Sequence, residues 1–195
     1  MAEDKYILPV FVFGLRNEDS TLQQFVDKPE FLYSKLKVNN LSTYSVWNAI
    51  IKATDISMRN NDELFIIATE DHSYTPFYTE NFLMKSIIDG FKRGIDILLG
   101  NINDFEFAVP VSKNLFWIDN YKGSSFTIIY NSLYEKILSY NPTEGKTFEN
   151  IFSEITPHKM VLYPFISNRR TYSFKNYFAE RRLKISHEAY LRYNI

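Results

Sequence analysis

Leu64-Phe65-Ile66-Ile67-Ala68 runs straight into Thr69-Glu70-Asp71-His72, and this junction decides the fold. Five apolar residues in a row, preceded by the turn Asn60-Asn61-Asp62, suit a strand covered on both faces. Strands covered in this way belong to sheets with helices on both sides, and such sheets are mostly parallel. The polar residues begin where the strand should end. In open α/β sheets, ligands bind beyond the carboxyl ends of the strands. The junction therefore marks both a central strand and a candidate site.

The pattern extends outward on either side. Tyr6–Leu15 is a second apolar run, closed by Gly14 and a polar stretch, and reads as a buried strand. Asp19 or Ser20 offers a cap for a short helix through Val26, stopped before Pro29. Phe31–Val38 alternates loosely and reads as another strand. Ser42 or Thr43 caps a helix with Val46, Trp47, Ile50, Ile51 and Ile56 at helical spacing. Glu80–Arg93 reads as an amphipathic helix with Phe82, Leu83, Ile87, Ile88 and Phe91 on one face, ended by Gly94. Ile95–Leu99 and Phe126–Tyr130 are further strands, and Leu133–Leu138 is helical. Met160–Ile166 is a late strand interrupted at Pro164, which places it at a sheet edge. Lys175–Tyr193 has helical spacing. Strands alternating with helices predict a mostly parallel α/β sheet with helices on both faces. Its strand ends point to Gly14-Leu15-Arg16, Glu70-Asp71-His72 and Gly100-Asn101.

The bulk numbers narrow the function classes. A chain of 195 residues suits one domain and buries roughly 70% of its unfolded surface. A net charge of −1 gives no basic field to recruit nucleic acid. The absence of cysteine excludes disulfides, thiolate metal sites and a cysteine nucleophile. No apolar run approaches the ~18 residues of a spanning helix, and Met1-Ala2-Glu3-Asp4-Lys5 is acidic where a signal peptide is basic. A cytoplasmic protein is expected, at most peripheral on the inner face of the membrane. Aromatics reach 17%, which suits either large core residues or stacking platforms for sugars and bases.

Chemistry concentrates in a few places. Along an extended segment, Glu70 and His72 share a side and Asp71 faces the other way, unless a turn intervenes. Carboxylate oxygens suit Mg²⁺ or Mn²⁺, and Mn²⁺ also accepts imidazole, so Asp71, Glu70 and His72 are the candidate metal ligands. The competing reading is a solvated loop. Arg16 meets a phosphate or base, or is simply a solvated arginine. Asn114–Phe126 brings Phe116, Trp117, Asp119, Tyr121 and Gly123 together, as a sugar-stacking wall or as ordinary core and loop. No Gly-rich phosphate loop, zinc spacing or nucleophile elbow is present. From Arg169 onward, basic residues outnumber acids and alternate with Tyr172, Phe174, Tyr177, Phe178 and Tyr190. Such a tail lies on an anionic membrane or packs on the domain.

Taken in order, these segments resemble bacterial glycosyltransferases of family 25, the lipopolysaccharide-biosynthesis type. The matching pieces are Val10–Arg16, Ser45–Ile50, Ile66–Thr75, Asp96–Gly100, Asn114–Trp117, Gly123–Tyr130 and Lys159–Ser167, spanning roughly residues 6 to 175. Thr69-Glu70-Asp71 stands where the family has Glu-Asp-Asp, so only the last acid is kept. The resemblance implies a GT-A-like nucleotide-sugar fold over residues 1–174, followed by the basic aromatic helix 175–195. It implies transfer of a sugar from a nucleotide-sugar donor to a surface glycan, with a divalent metal. Gly14, Leu15, Arg16, Trp47, Glu70 and Asp71 would then face the donor. Gly100, Asn101, Trp117 and Ser125 would face the acceptor, and Asp119 or Asp104 would act as base. Two rivals follow from the altered acids and the tail: a non-catalytic glycan- or nucleotide-sugar-binding relative, and a module docking to membrane or partner through the basic helix.

Overall fold

The apolar runs pair into one eight-stranded sheet in the computed structural model, which describes residues 6–15, 22–38, 40, 42–143, 145–170 and 174–193. The first half of the chain forms β1 (Leu8–Gly14), α1 (Gln23–Val26), β2 (Phe31–Lys37), α2 (Thr43–Arg59), β3 (Leu64–Thr69), β4 (His72–Tyr74) and α3 (Glu80–Lys92). Short strands follow: β5 (Ile97–Leu99), β6 (Asp104–Phe105), β7 (Ala108–Pro110), β8 (Leu115–Ile118), β9 (Tyr121–Lys122) and β10 (Phe126–Tyr130). A 3-10 turn then leads into α4 (Tyr134–Ser139), α5 (Phe148–Ile155), β11 (Lys159–Leu162), β12 (Ser167–Arg169) and α6 (Phe174–Tyr193).

The strand order is β2-β1-β3-β10-β5-β11-β8-β7. β1 pairs in parallel with β2 and β3, and β5 with β11. β10 runs against β3 and β5, and β8 against β11 and β7. The other six strands thus share one direction, so the sheet is mostly parallel as the continuous apolar runs predict. Two small ladders, β4 with β12 and β6 with β9, lie outside it.

Successive side chains of each strand enter opposite cores. Phe11, Phe13, Phe65, Ile67, Ile97, Leu99, Ile129 and Val161 point into one, covered by α2, α4, α5 and α6. Leu8, Val10, Val12, Leu64, Ile66, Leu98, Ile128 and Met160 point into the other, covered by α1 and α3. Ser42 caps α2, its side chain accepting from the Ser45 N–H at 3.3 Å, and Thr79 caps α3 by accepting from Phe82 at 3.1 Å.

Two expectations are corrected. β11 is an interior strand between β5 and β8, because Pro164 lies beyond its last residue and removes no ladder hydrogen bond. The buried stripe of α3 is Leu83, Ser86, Ile87 and Gly90, while Ile88 and Phe91 are exposed. Gly90 sets that face: a Cβ there would lie 2.5 Å from Ile95 and 2.8 Å from the Tyr130 hydroxyl, so the helix sits too close for a larger residue. α6 packs beside β6 and β7, burying Ala179 and Leu183 in the first core and leaving Tyr177 and Phe178 exposed. Among the described residues, no helix is long and apolar enough to cross a membrane. The expected cap Asp19 or Ser20 lies outside the described residues.

Candidate functional site

A cleft of about 350 Å³ opens where β1 and β3 end. Phe13 and Gly14 come from β1, Ile67 and Thr69 from β3, and Glu70 and Asp71 from the turn that follows. β10 enters the sheet antiparallel, so its start brings Ser124, Ser125 and Thr127 to the same end. Val46 and Ile50 of α2 supply an apolar wall, and Thr147, Phe148 and Glu149 line it from the start of α5. Arg169 reaches it from β12. The site is therefore mostly apolar with a few convergent polar groups, the usual make-up of a small-molecule pocket.

The acidic turn is held on several sides. The Glu70 N–H donates to the Phe13 carbonyl at 2.9 Å, and the Thr69 hydroxyl donates to Asp71 Oδ1 at 2.5 Å. Asp71 Oδ2 lies 3.7 Å from Arg169 Nη1. The Asp71 carbonyl accepts from the Arg170 N–H at 2.7 Å. Gly14 permits the close approach of Glu70, because a Cβ at that position would lie 2.4 Å from its carboxylate. Across the cleft, Glu149 accepts from the Gly123 N–H at 3.1 Å. Thr147 and Asn150 close a reciprocal capping box that fixes the first turn of α5.

His72 leaves the cleft. The turn at Glu70-Asp71 breaks the strict alternation, so the two acids line the cleft together and His72 enters the opposite core. Its ring stacks on Phe25, 5.6 Å between centroids, and meets Tyr74 and Phe126 at 4.6 and 5.1 Å. Burial, with the Arg170 charge adding, lowers its pKa to about 3. His72 Nδ1 lies 2.9 Å from the Ser167 hydroxyl, which lies 2.8 Å from that of Ser125. Asn101 Oδ1 accepts from the Ser125 N–H at 2.9 Å and from its hydroxyl at 3.0 Å. This buried chain fixes Ser125, and with it the floor of the cleft.

Of the residues read as the donor site, Gly14, Glu70 and Asp71 come together, and Leu15 is exposed beside them. Arg16 lies outside the described residues. Trp47 is corrected to a core residue: it has no exposed surface and packs edge-on against Tyr140 and Phe152. On the acceptor side only Ser125 lines the cleft. Asn101 is buried behind it, and Gly100 packs against Phe126 and Ile166. Trp117 spends its indole N–H on the Pro157 carbonyl at 2.8 Å. Neither expected base reaches the cleft. Asp104 is exposed and pairs with Arg182 at 3.2 Å, and Asp119 follows β8, where its backbone N–H donates to Phe107. Besides Glu70 and Asp71 the cleft is lined by a third carboxylate, Glu149, and by Arg169, neither of which any sequence motif marks.

No protein-family model matches the chain, and no curated protein matches it in sequence. Solved structures do match it in shape. The crystal structure of A197 from STIV superposes with a TM-score of 0.58 at 18% identity, covering 87% of each chain. A glycosyltransferase involved in glycosylation of the major capsid of PBCV-1 superposes at 0.52 and 10% identity, over 91% of this chain and 99% of that one. Apo UDP-glucose pyrophosphorylase superposes at 0.51 and 8% identity, over 97% and 82%. The chain has a GT-A-like fold. In that fold's terms, the cleft stands at the carboxyl ends of β1 and β3, where a parallel sheet presents its ligands.

The three residues expected as metal ligands are not brought together: Glu70 and Asp71 line the cleft and His72 does not. Among the described residues, no three His, Asp or Glu side chains are grouped to hold a metal ion. Asp71 accepts a hydrogen bond from Thr69 and stands 3.7 Å from Arg169, and the imidazole expected as a third ligand is enclosed by aromatic rings in the opposite core.

Proposed function

We propose that the protein is a glycosyltransferase that moves a sugar from a nucleotide-sugar donor to a glycan acceptor. The observation that carries this reading is the cleft itself. Apolar walls, an acidic turn and the Arg169 guanidinium converge at the strand ends of a GT-A-like sheet. Phe13, Val46, Ile50 and Ile67 give the donor an apolar surface, and Arg169 gives its phosphates a cation. The acceptor hydroxyl attacks the anomeric carbon, the bond from that carbon to the diphosphate oxygen breaks, and the hydroxyl proton passes to a cleft carboxylate. Glu149 is the residue we assign to that proton. The ordered resemblance to family 25 supports a surface glycan, lipopolysaccharide or a related polysaccharide, as the acceptor.

A thermal-shift screen of UDP-, GDP- and CDP-sugars tests the reading. Ligand that binds only the folded state adds about 2.7 kcal/mol at a hundred times its Kd, enough to raise Tm by several degrees. A screen with no shift for any sugar nucleotide would overturn it.

A second reading is favoured by α6. At about 100° per residue, Tyr177, Phe178, Arg181, Lys184 and Ile185 share its outward face with one acid, Glu188, opposite the buried Ala179 and Leu183. Aromatic and basic side chains on one face suit an anionic membrane surface. Flotation with phosphatidylserine vesicles checks it, and failure to float with the vesicles removes it.

A further inference from the structure

We propose that Arg169 is the cation of the donor site, so that a nucleoside diphosphate binds in this cleft without a divalent ion. The inference rests on the donor-site reading above. A diphosphate entering an apolar cleft needs its charge met close by, by a metal or by cationic side chains. Among the described residues no three metal-ligating side chains are grouped. A guanidinium is already placed among the lining residues.

Three observations give Arg169 this part. Its Nε is buried and has no hydrogen-bond partner. Its Nη1 stands 3.7 Å from Asp71 Oδ2, beyond hydrogen-bond length, so the pair is loose. A guanidinium has five N–H donors in a rigid fork that matches two phosphate oxygens, and this one has donors to give. The third observation concerns placement. β12 pairs with β4, aligning Arg169 with His72, and the Arg169 N–H donates to Asn168 Oδ1 at 2.9 Å. Ser167, two residues before, is locked into the buried Ser125–Ser167–His72 chain. The arginine therefore springs from a fixed backbone.

The same geometry gives Asp71 a role opposite to that of a metal ligand. Its carboxylate stands beside Arg169 and competes with incoming phosphates for the guanidinium. Removing its charge then helps the diphosphate, whereas removing a metal ligand would harm it. This difference in sign decides the matter.

The test is calorimetric titration of UDP and GDP into the full chain, in EDTA and in Mn²⁺. Wild type, Arg169→Ala, Arg169→Lys and Asp71→Asn are compared. We expect affinity in EDTA within about threefold of that in Mn²⁺. Arg169→Ala should lose about tenfold or more, as expected for a charge-assisted contact, and Arg169→Lys should lose less. Asp71→Asn should bind as tightly as wild type or more tightly. Asp71→Asn and Arg169→Lys keep a side chain of similar size, so the answer stands even if the alanine variant folds poorly. Binding that requires Mn²⁺ and disappears in Asp71→Asn would overturn the inference and leave the proposed function standing. Absence of binding by either nucleotide in both buffers would overturn the inference, and a blank sugar-nucleotide screen would overturn the function as well.

Discussion

His72 holds its ring between Phe25, Tyr74 and Phe126, where burial keeps it neutral and lowers its pKa to about 3. In the unfolded chain the same group titrates near 6.5. Above that pH neither state carries the proton, and stability does not depend on His72. Below it the unfolded chain gains a proton that the folded chain refuses, so stability falls as pH drops from about 6.5 towards 3, at up to about 1.4 kcal/mol per pH unit. Melting curves of wild type and His72→Gln across that window should differ in slope, the variant being flatter. Parallel slopes would refute the assignment. Glu149 makes a catalytic prediction. Glu149→Gln keeps the cleft's shape and removes the base, so turnover should fall about 10²- to 10⁴-fold while nucleotide affinity changes little. Unchanged turnover would remove Glu149 from the chemistry. The acidic turn was readable because a buried strand leads directly into it. Arg169 was not, because it arrives from far down the chain on a three-residue strand, and the matching segment Lys159–Ser167 stops two residues short of it. Periodicity makes His72 a ligand candidate, because it shows alternation and cannot show the turn that redirects the ring.

Helix α5 shows what local rules miss at the scale of an element. Its start reads Thr147-Phe148-Glu149-Asn150, with Asn where the familiar box signal has Glu or Gln. The Asn150 side chain nevertheless reaches back to the Thr147 N–H, and the box closes. The same turn delivers Phe148 and Glu149 to the cleft, so cap and site are linked. Thr147→Ala should cost about 1 kcal/mol, seen as a lower urea midpoint at constant m-value. It should also weaken sugar-nucleotide binding several-fold. A loss of stability with affinity intact would show that the cap does not set the Glu149 side of the cleft. The central strands were legible because runs such as Leu64–Ala68 are long and wholly apolar. The buried face of α3 was less so. Ile88 and Phe91 match the helical period, but Gly90 draws the helix against Ile95 and Tyr130 and rotates them outward.

At the scale of the molecule, one sheet separates two cores, and α6 closes the first of them. The sequence suggests a boundary near residue 174, because charge and aromatic content change there. Leu183 argues for energetic continuity across it. Its side chain is fully buried in the same core as Trp47, and Arg182 stacks on Phe105 at 3.9 Å from the ring centre. Leu183→Ala should therefore cost about 2–5 kcal/mol, like other buried leucines cut to alanine. The loss should appear in the whole molecule. Far-UV circular dichroism, which follows all the helices, and tryptophan fluorescence, to which Trp47 in the core contributes, should shift together to lower denaturant, as one cooperative transition requires. If α6 were a separate module, the variant would lose helical signal early and the fluorescence midpoint would stay where it was. Coincident midpoints would instead mean that the exposed basic face of α6 is carried on a rigid part of the domain. Whatever Tyr177, Phe178 and Arg181 touch would then be held in fixed relation to the cleft.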